Sequence, residues 1–591
     1  MRNQFFRWLY IITTVLLLTV GAVVWSLYFT DWNYHITVSK ETTYITEPLL
    51  PDGRVDYVTA INEILSQGVT PENNAAIPFI RELGFDDEKT VRRKSFPRFC
   101  LLLGVSPDRL EPKGGRDRFK SLYEAMQKYP YREGFIEEMN AVKIHKDWEG
   151  KVETVDNENI SSAALTLDEY IVETPWSADE FPTVVQWIED NEKTLDIFVE
   201  ASQRSHLYIP LPQTADTPLT YYSTYDIPIS KATLALGARA MIRISQKRFE
   251  DAWQDLLAID RIARLFSGLR SKYYYLLSVR FKHHRFAPLV ALVSHPELSE
   301  SKLRRCIEDL VALGPNTTYA DLLMAVGRLE ELEMLQTYPL YGYDYQMDDD
   351  GRPIKNLSAQ QQALRNALRA SVDWNSILRR YNRIIDELVV ALDQPIRPKR
   401  FRDVEAILDR HYRKSEILGN PTVANTLFAS GTTDKMFAQL MIWTVGTKIS
   451  QTDAWITVQT RMAEIAARLA LYRRVEGEYP ESLEKLKEAL LGIDPPDADL
   501  FDDPFHDTDT LRYERLDNGQ GYKIYSVCKN GRDDGGRDET EEVSLIDVPD
   551  PRDDFGIRVG PNVFIPRDVW NVDPPEEEEA AETTEAETPV N

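Results

Sequence analysis

Residues 8–29 read WLYIITTVLLLTVGAVVWSLYF, without one charged side chain. At the helical rise of about 1.5 Å per residue, about 20 apolar residues cross the hydrocarbon core of a bilayer. A run this long therefore predicts a transmembrane helix and forces the rest of the chain onto one side of a membrane. Trp8, Tyr10, Trp25 and Tyr28 stand at its two ends, where interfacial aromatics belong. Arg2 and Arg7 precede it and Asp31 follows, so residues 1–7 form a cytoplasmic tip and the bulk of the chain lies beyond the membrane. The rival is a cleaved signal peptide, for which Val20-Gly21-Ala22 offers small residues. The apolar run continues well past that point, which favours an uncleaved anchor.

The remaining chain is long enough for a large core and for two or three domains: 43% of the 591 residues are hydrophobic. Its formal net charge of -26 argues against nucleic acid, whose phosphates need a basic face. Cys100, Cys306 and Cys528 lie far apart and form no CxxC, so neither a zinc site nor a disulfide framework is expected.

Helical spacing dominates the middle, so the expected fold class is mainly α. Residues 30–229 form an N-terminal helical region, and 230–453 a helical-array domain. Within Val55–Gly84 two helices are broken at Gly68 and Pro71, and Thr70-Pro71-Glu72-Asn73 reads as a helix start. Pro175 to Pro182 opens another helix that turns Trp187, Leu195 and Ile197 inward. The polar groups on and after it, Asn191-Glu192 and Glu200 to Arg204, read best as a solvated face with one buried contact. From Leu234 to Phe266 an Ala-rich helix, a short polar turn and RFEDAW resemble one pair of a tetratricopeptide-type repeat, without a second copy. On the next helix, His283 and His284 point about 100° apart, so they cannot ligate one ion together. Tyr338–Leu357 reads as a loop. Its Asp348-Asp349-Asp350-Gly351 fails the EF-hand pattern, because Gln346 and Leu357 occupy the first and last acidic positions. Ala359–Leu392 reads as a long helical stretch in which Asp373 and Asp386 form no catalytic set.

The carboxyl-terminal part is richer in signals. An amphipathic helix from Ala463, with Ile465, Leu469, Leu471 and Tyr472 at helical spacing, is stopped by Gly477. A short helix follows with Leu483, Leu486 and Leu490 on one face. Two strands, Leu511–Arg515 and Gly521–Val527, flank the hairpin turn Asp517-Asn518-Gly519. In order along the chain stand Gly477-Glu478-Tyr479-Pro480, Asp503-Pro504-Phe505, Leu511-Arg512-Tyr513, Tyr525-Ser526-Val527-Cys528-Lys529-Asn530-Gly531 and Gly535-Gly536. This succession resembles the globular end of the major pseudopilin of type II secretion, and the rest of the chain resembles membrane-anchored bacterial envelope proteins. The resemblance implies a small α+β module over residues 454–550 whose last loop binds calcium. Its ligands would be Val527 through its carbonyl, Asn530, Asp533, Asp534 and Asp538. The rival for that loop is a glycine-rich tail with solvated acids. The chain departs from the family at Cys528, where Gly is usual, and at Asn530, where Asp is usual. The apolar segment lies far upstream of the module without a pseudopilin processing site, so the module reads as borrowed. Residues 551–591 form an extended acidic tail, disordered from about 573.

No glycine-rich phosphate loop, GxSxG, HExxH or Cys/His cluster occurs, so no catalytic residue and no organic cofactor is assigned. The expectation is a single-pass protein of the bacterial inner membrane, its bulk extracytoplasmic. It would serve as a binding or scaffold protein, with the membrane and other envelope proteins as partners. The alternatives are an envelope hydrolase using a carboxylate pair and an accessory component of a type II secretion-like system.

Overall fold

The computed structural model describes residues 2–30, 34–84, 95–110, 119–129, 145–146, 152–153, 167, 171–172, 176–211, 229–341, 358–413, 426–427, 431–444, 449–490, 499–506, 509–528, 533, 555–560 and 564–565. It divides into two compact units. The first comprises Met1–Leu292 and Glu308–Gln459, the second Val293–Ile307 and Thr460–Asn591.

The first unit is mainly helical. It opens with α1 (Arg2–Phe29), followed by α2 (Tyr57–Leu65), α3 (Ala76–Leu83), α4 (Phe96–Leu102) and α5 (Leu122–Lys128). A two-residue hairpin, β1 (His145–Lys146) with β2 (Val152–Glu153), precedes α6 (Pro182–Ala201), α7 (Ile229–Ser245), α8 (Phe249–Ser267) and α9 (Lys272–Ser294). Along the chain then come α10 (Glu300–Ala312), α11 (Tyr319–Leu323), α12 (Val326–Tyr341), α13 (Ala359–Ser371), α14 (Trp374–Leu392), α15 (Pro398–Leu408), α16 (Thr432–Thr444) and α17 (Ile449–Glu476), of which α10 up to Ile307 and α17 from Thr460 on belong to the second unit.

Within α1, residues 6–29 are long and apolar enough to cross a membrane, with mean hydropathy 2.1. It is the one such helix among the described residues. The α7–α8 pair is a tight antiparallel hairpin whose turn places Lys247 at φ 61°. Gly237 lets α9 approach α7: a Cβ there would stand 2.6 Å from the His284 carbonyl oxygen. Helix α14 shows the spacing that makes these helices pack. Trp374, Ile377, Leu378, Tyr381, Ile384, Ile385, Leu388 and Leu392 are buried at intervals of three and four, and Asp373 caps the first turn by accepting from the Ser376 N–H at 3.0 Å.

Three sequence expectations need correction here. The chain does not enter a helix at Pro71. Asn73 and Asn74 divert it: the Asn73 side chain accepts from the Thr70 N–H, and Asn74 bonds both the N–H and the carbonyl of Tyr208, so α3 begins only at Ala76. Tyr338 and Leu340 belong to α12 rather than to a loop, while Asp348–Gly351 lies outside the described residues. The stretch Ala359–Leu392 is two helices, broken at Val372-Asp373 where Asp373 takes up its capping role.

The second unit is α+β. The end of α17, with Arg473 and Arg474 in its last turn, is stopped by Gly477 at φ 87°. Helix α18 (Leu483–Leu490) buries Leu483, Leu486 and Leu490. An antiparallel sheet follows in the order β3 (Arg512–Leu516), β4 (Gly521–Ser526), β5 (Phe555–Val559) and the two-residue β6 (Phe564–Ile565). Ile524 lies opposite Tyr513 on one side and Ile557 on the other. Phe555, Ile557 and Val559 alternate inward along β5, as a half-buried strand requires. Gly556 sits opposite Tyr525, where a Cβ would come 2.4 Å from the Ile524 carbonyl oxygen. The sheet thus takes in a strand beyond residue 550, in the stretch read as the start of an extended tail. Residues 566–591 lie outside the described residues.

Candidate functional site

Three places concentrate polar chemistry. The first is the seat of α1. A helix leaves its last four carbonyls without intrahelical partners, and near a membrane each unsatisfied one costs several kcal/mol, in the order of magnitude of a lost hydrogen bond in hydrocarbon. Here Asn366, fully buried in the middle of α13, donates to the carbonyls of Leu27 at 2.8 Å and Thr30 at 2.6 Å. Ala363 and Ala367 flank it and form a small core with Leu27, packed by Tyr28 and Leu427. Gln362 reaches the Thr30 carbonyl at 3.4 Å. The end of α1 is thus bonded directly to α13.

The second is a set of buried charges inside the helical unit. Asp255 is fully buried and holds Arg239 in a two-pronged contact at 3.2 and 2.6 Å, with Arg243 at 2.6 Å. Asp260 meets Lys282 at 3.3 Å and Arg285 at 3.5 Å. Burial pulls the Lys282 ammonium down to about 8 against the opposing pull of Asp260. Asp453, on α17, receives the Tyr275 hydroxyl, the Arg400 guanidinium and the Tyr319 backbone N–H, joining α9, α15 and α11. Burial raises the Asp453 carboxyl, and Arg400 opposes the rise. On α12, Glu333 is 6% exposed. Its carboxyl is pushed up to about 8, first by burial and then by the neighbouring Asp56 and Asp52, with Arg54 and Gln336 opposing. Gln336 beside it bonds both the N–H and the carbonyl of Val55, at 3.2 and 2.9 Å.

These contacts settle several sequence candidates. Asn191 is buried and bonds the backbone of Lys120, and Arg204 donates to the carbonyls of Pro71 and Asn74. His284 is buried against the Thr233 hydroxyl at 3.0 Å, and burial holds its imidazole neutral. Asp386 pairs with Arg328. His284 and Asp386 tie helices together, while Asn191 and Arg204 bond the backbone of loop residues. All three cysteines are buried.

The third place is the carboxyl-terminal hairpin. Tyr479, Pro480, Asp503, Tyr513, Ser526 and Val527, all singled out in the sequence, make hydrogen bonds there. Asp503 is 1% exposed and accepts from the Phe505 N–H at 2.9 Å, the Ser526 hydroxyl at 2.8 Å and the Val527 N–H at 3.2 Å. Tyr513 donates to the Pro480 carbonyl at 2.8 Å, and the Tyr479 N–H to the Gly519 carbonyl at 2.9 Å. Cys528 adopts φ 47°, in the left-handed region that favours glycine.

Of the five expected calcium ligands, Val527 and Asp533 are described, and Asn530, Asp534 and Asp538 lie outside the described residues. Asp533 accepts from the Tyr525 hydroxyl at 2.8 Å and lies 3.5 Å from the Arg512 guanidinium. Among the described residues no three His, Cys, Asp or Glu side chains converge as a metal site.

Sequence reading missed Asn366, Asp453, Glu333 and Asp503 as anchoring groups. Only Asp503 had a signal, its place in a motif. No protein-family model, curated protein or solved structure matches the chain.

Proposed function

We propose that this chain is a single-pass inner-membrane protein of a bacterial envelope that serves as a fixed extracytoplasmic scaffold or binding platform. The observation that carries the reading is the seat of α1. A merely tethered domain needs no contact with its anchor, whereas here Asn366 and the Ala363–Ala367 face bond the body to the end of the spanning helix. The interior supports a rigid platform, since Asp255, Asp260 and Asp453 are spent on cross-linking helices. The pseudopilin-like module supports a partner among envelope proteins, including a type II secretion-like machine. Calcium at the loop belongs to this proposal, with Asn530, Asp534 and Asp538 as ligands and Asp533 released from Arg512. The test is capture of the full chain from native membranes. Extraction only by detergent, together with envelope proteins lost when residues 460–591 are deleted, is the expected result. Release by salt or alkali would overturn the anchor, and an unchanged partner set would overturn the role of the module.

A second reading, a carboxylate hydrolase, has one observation in its favour. A carboxyl held protonated near neutrality, as Glu333 is, suits a general acid. Its burial beneath Gln336 and Val55 favours a packing role instead.

A further inference from the structure

Helices α8 and α9 turn charged faces toward each other. Asp260 and Arg264 stand one turn apart on α8, and Lys282 and Arg285 one turn apart on α9, spacings that put each pair on one face. Asp260, Lys282 and Arg285 are 2%, 4% and 2% exposed, and Arg264 is half-buried. The Lys282 ammonium lies 3.3 Å from the Asp260 carboxylate, and the Arg285 guanidinium 3.5 Å. Arg264 turns instead to the Pro315 carbonyl at 2.8 Å, and Asn316 accepts from Lys282 at 2.5 Å. The connection from α10 to α11 therefore lies over the cluster, with Gly314 and Pro315 exposed.

Charge does not balance there. Among the described residues Asp260 is the one carboxylate within ion-pair distance of Lys282 or Arg285, and Arg264 reaches none. Three cations against one carboxylate leave two positive charges. The neighbouring set is matched, with Arg239 and Arg243 set against Asp255 and Asp196. Arg264 and Arg285 repel each other, and both repel Lys282. The Nε atoms of Arg264 and Arg285 are buried without a hydrogen-bond partner among the described residues. A buried charge without compensation is costly. Water satisfies a donor and leaves the charge unbalanced, whereas an oxyanion does both. Guanidinium forks match the edge of a phosphate or a carboxylate. Two excess charges select the phosphate, which carries about −1.5 to −2 near neutrality, because a carboxylate leaves one charge over.

We propose that Arg264, Lys282 and Arg285 form a binding site for a phosphate group, as the free ion or a phosphate monoester, reached past Pro315 and Asn316. The site stands apart from the α1 seat and from the carboxyl-terminal module, so it gives the helical unit a ligand whatever those two elements do.

The test uses the full chain in maltoside micelles, dialysed free of phosphate into chloride buffer near neutral pH. It is titrated calorimetrically with inorganic phosphate, glycerol 3-phosphate and acetate. Saturable uptake of one phosphate per chain is expected, with acetate silent. Uptake of inorganic phosphate alone identifies the free ion as ligand, and uptake of glycerol 3-phosphate identifies a monoester. Arg264→Gln, at the half-buried edge of the cluster, should raise the dissociation constant about tenfold or more, as the loss of one charge-assisted hydrogen bond implies. Arg285→Met should abolish uptake. In phosphate-free buffer it should melt no lower than the unmodified chain, because it removes a repelled charge. A lower midpoint there would make Arg285 a structural group and count against the site. Absence of saturable phosphate uptake, equal uptake of acetate, or an unchanged dissociation constant in Arg264→Gln would each overturn it.

Discussion

Replacing Asn366 with leucine keeps the volume of the side chain and removes both donors from the seat of α1. The Leu27 carbonyl is buried, so losing its partner costs about 1–3 kcal/mol, the desolvation penalty of an orphaned acceptor. The Thr30 carbonyl is exposed and keeps Gln362 at 3.4 Å, so its loss adds about 0.5 kcal/mol. A total of about 2 kcal/mol raises the population of the undocked state about thirtyfold, since 1.4 kcal/mol is a factor of ten. Helix α13 has 13 residues, and isolated helices of that length are marginal in water. Undocking therefore exposes its amides to exchange. Hydrogen exchange of the full chain in lipid nanodiscs should show protection in 359–371 falling about thirtyfold in Asn366→Leu, with 374–392 unchanged. Unchanged protection in 359–371 would refute the claim that Asn366 bonds the anchor to the body.

Three further outcomes follow from the structure or the resemblance. The raised Glu333 carboxyl binds its proton more tightly folded than unfolded, so its contribution to stability is full below about 4.5 and is lost as pH rises through about 8. Glu333→Gln should flatten that part of the stability–pH curve and stabilise the chain at pH 8 relative to pH 5; equal slopes in both proteins would reject it. Removing either Arg400 or Asp453 alone leaves a buried charge without its partner, at a cost of about 3–5 kcal/mol, while Arg400→Met with Asp453→Leu should cost less than the sum. Urea titrations of the four proteins decide this, and strict additivity would count against a direct pair. Calcium at a hundred times its dissociation constant should add about 2.7 kcal/mol to the second unit, seen as a raised melting midpoint that Asp534→Ala with Asp538→Ala abolishes. Equal midpoints in millimolar calcium and in chelator would discard that site.

Local features were legible in the sequence because their causes are local. The uncharged run of α1, the leucine spacing of α18, Gly477 as a stop and the turn at Asp517-Asn518-Gly519 each depend on residues within a few positions. The tight α7–α8 pair follows from two amphipathic stretches joined by a short polar turn. What escaped is non-local. Asn366 sits in AQQQALRNALRAS, where nothing marks it as the partner of a carbonyl 339 positions away. Asp453 is one of 95 acidic residues, and its three partners come from three other helices. Strand β5 pairs with β4 across a long intervening stretch, so its short apolar alternation between prolines had no visible neighbour to complete. The helix start misplaced at Pro71 shows the reverse case. Thr-Pro-Glu-Asn is a sound local signal, but the side chains of Asn73 and Asn74 found better partners in their own turn and in the segment at Tyr208.

The central claim, a helix-anchored body on the far side of the inner membrane, is tested most directly by the side on which the carboxyl-terminal unit lies. Lys485 is half exposed, and the three native cysteines are buried, so Lys485→Cys supplies the one reactive surface thiol among the described residues. In spheroplasts, a membrane-impermeant maleimide should label this cysteine before lysis. Labelling that appears only after the cells are broken would contradict the account.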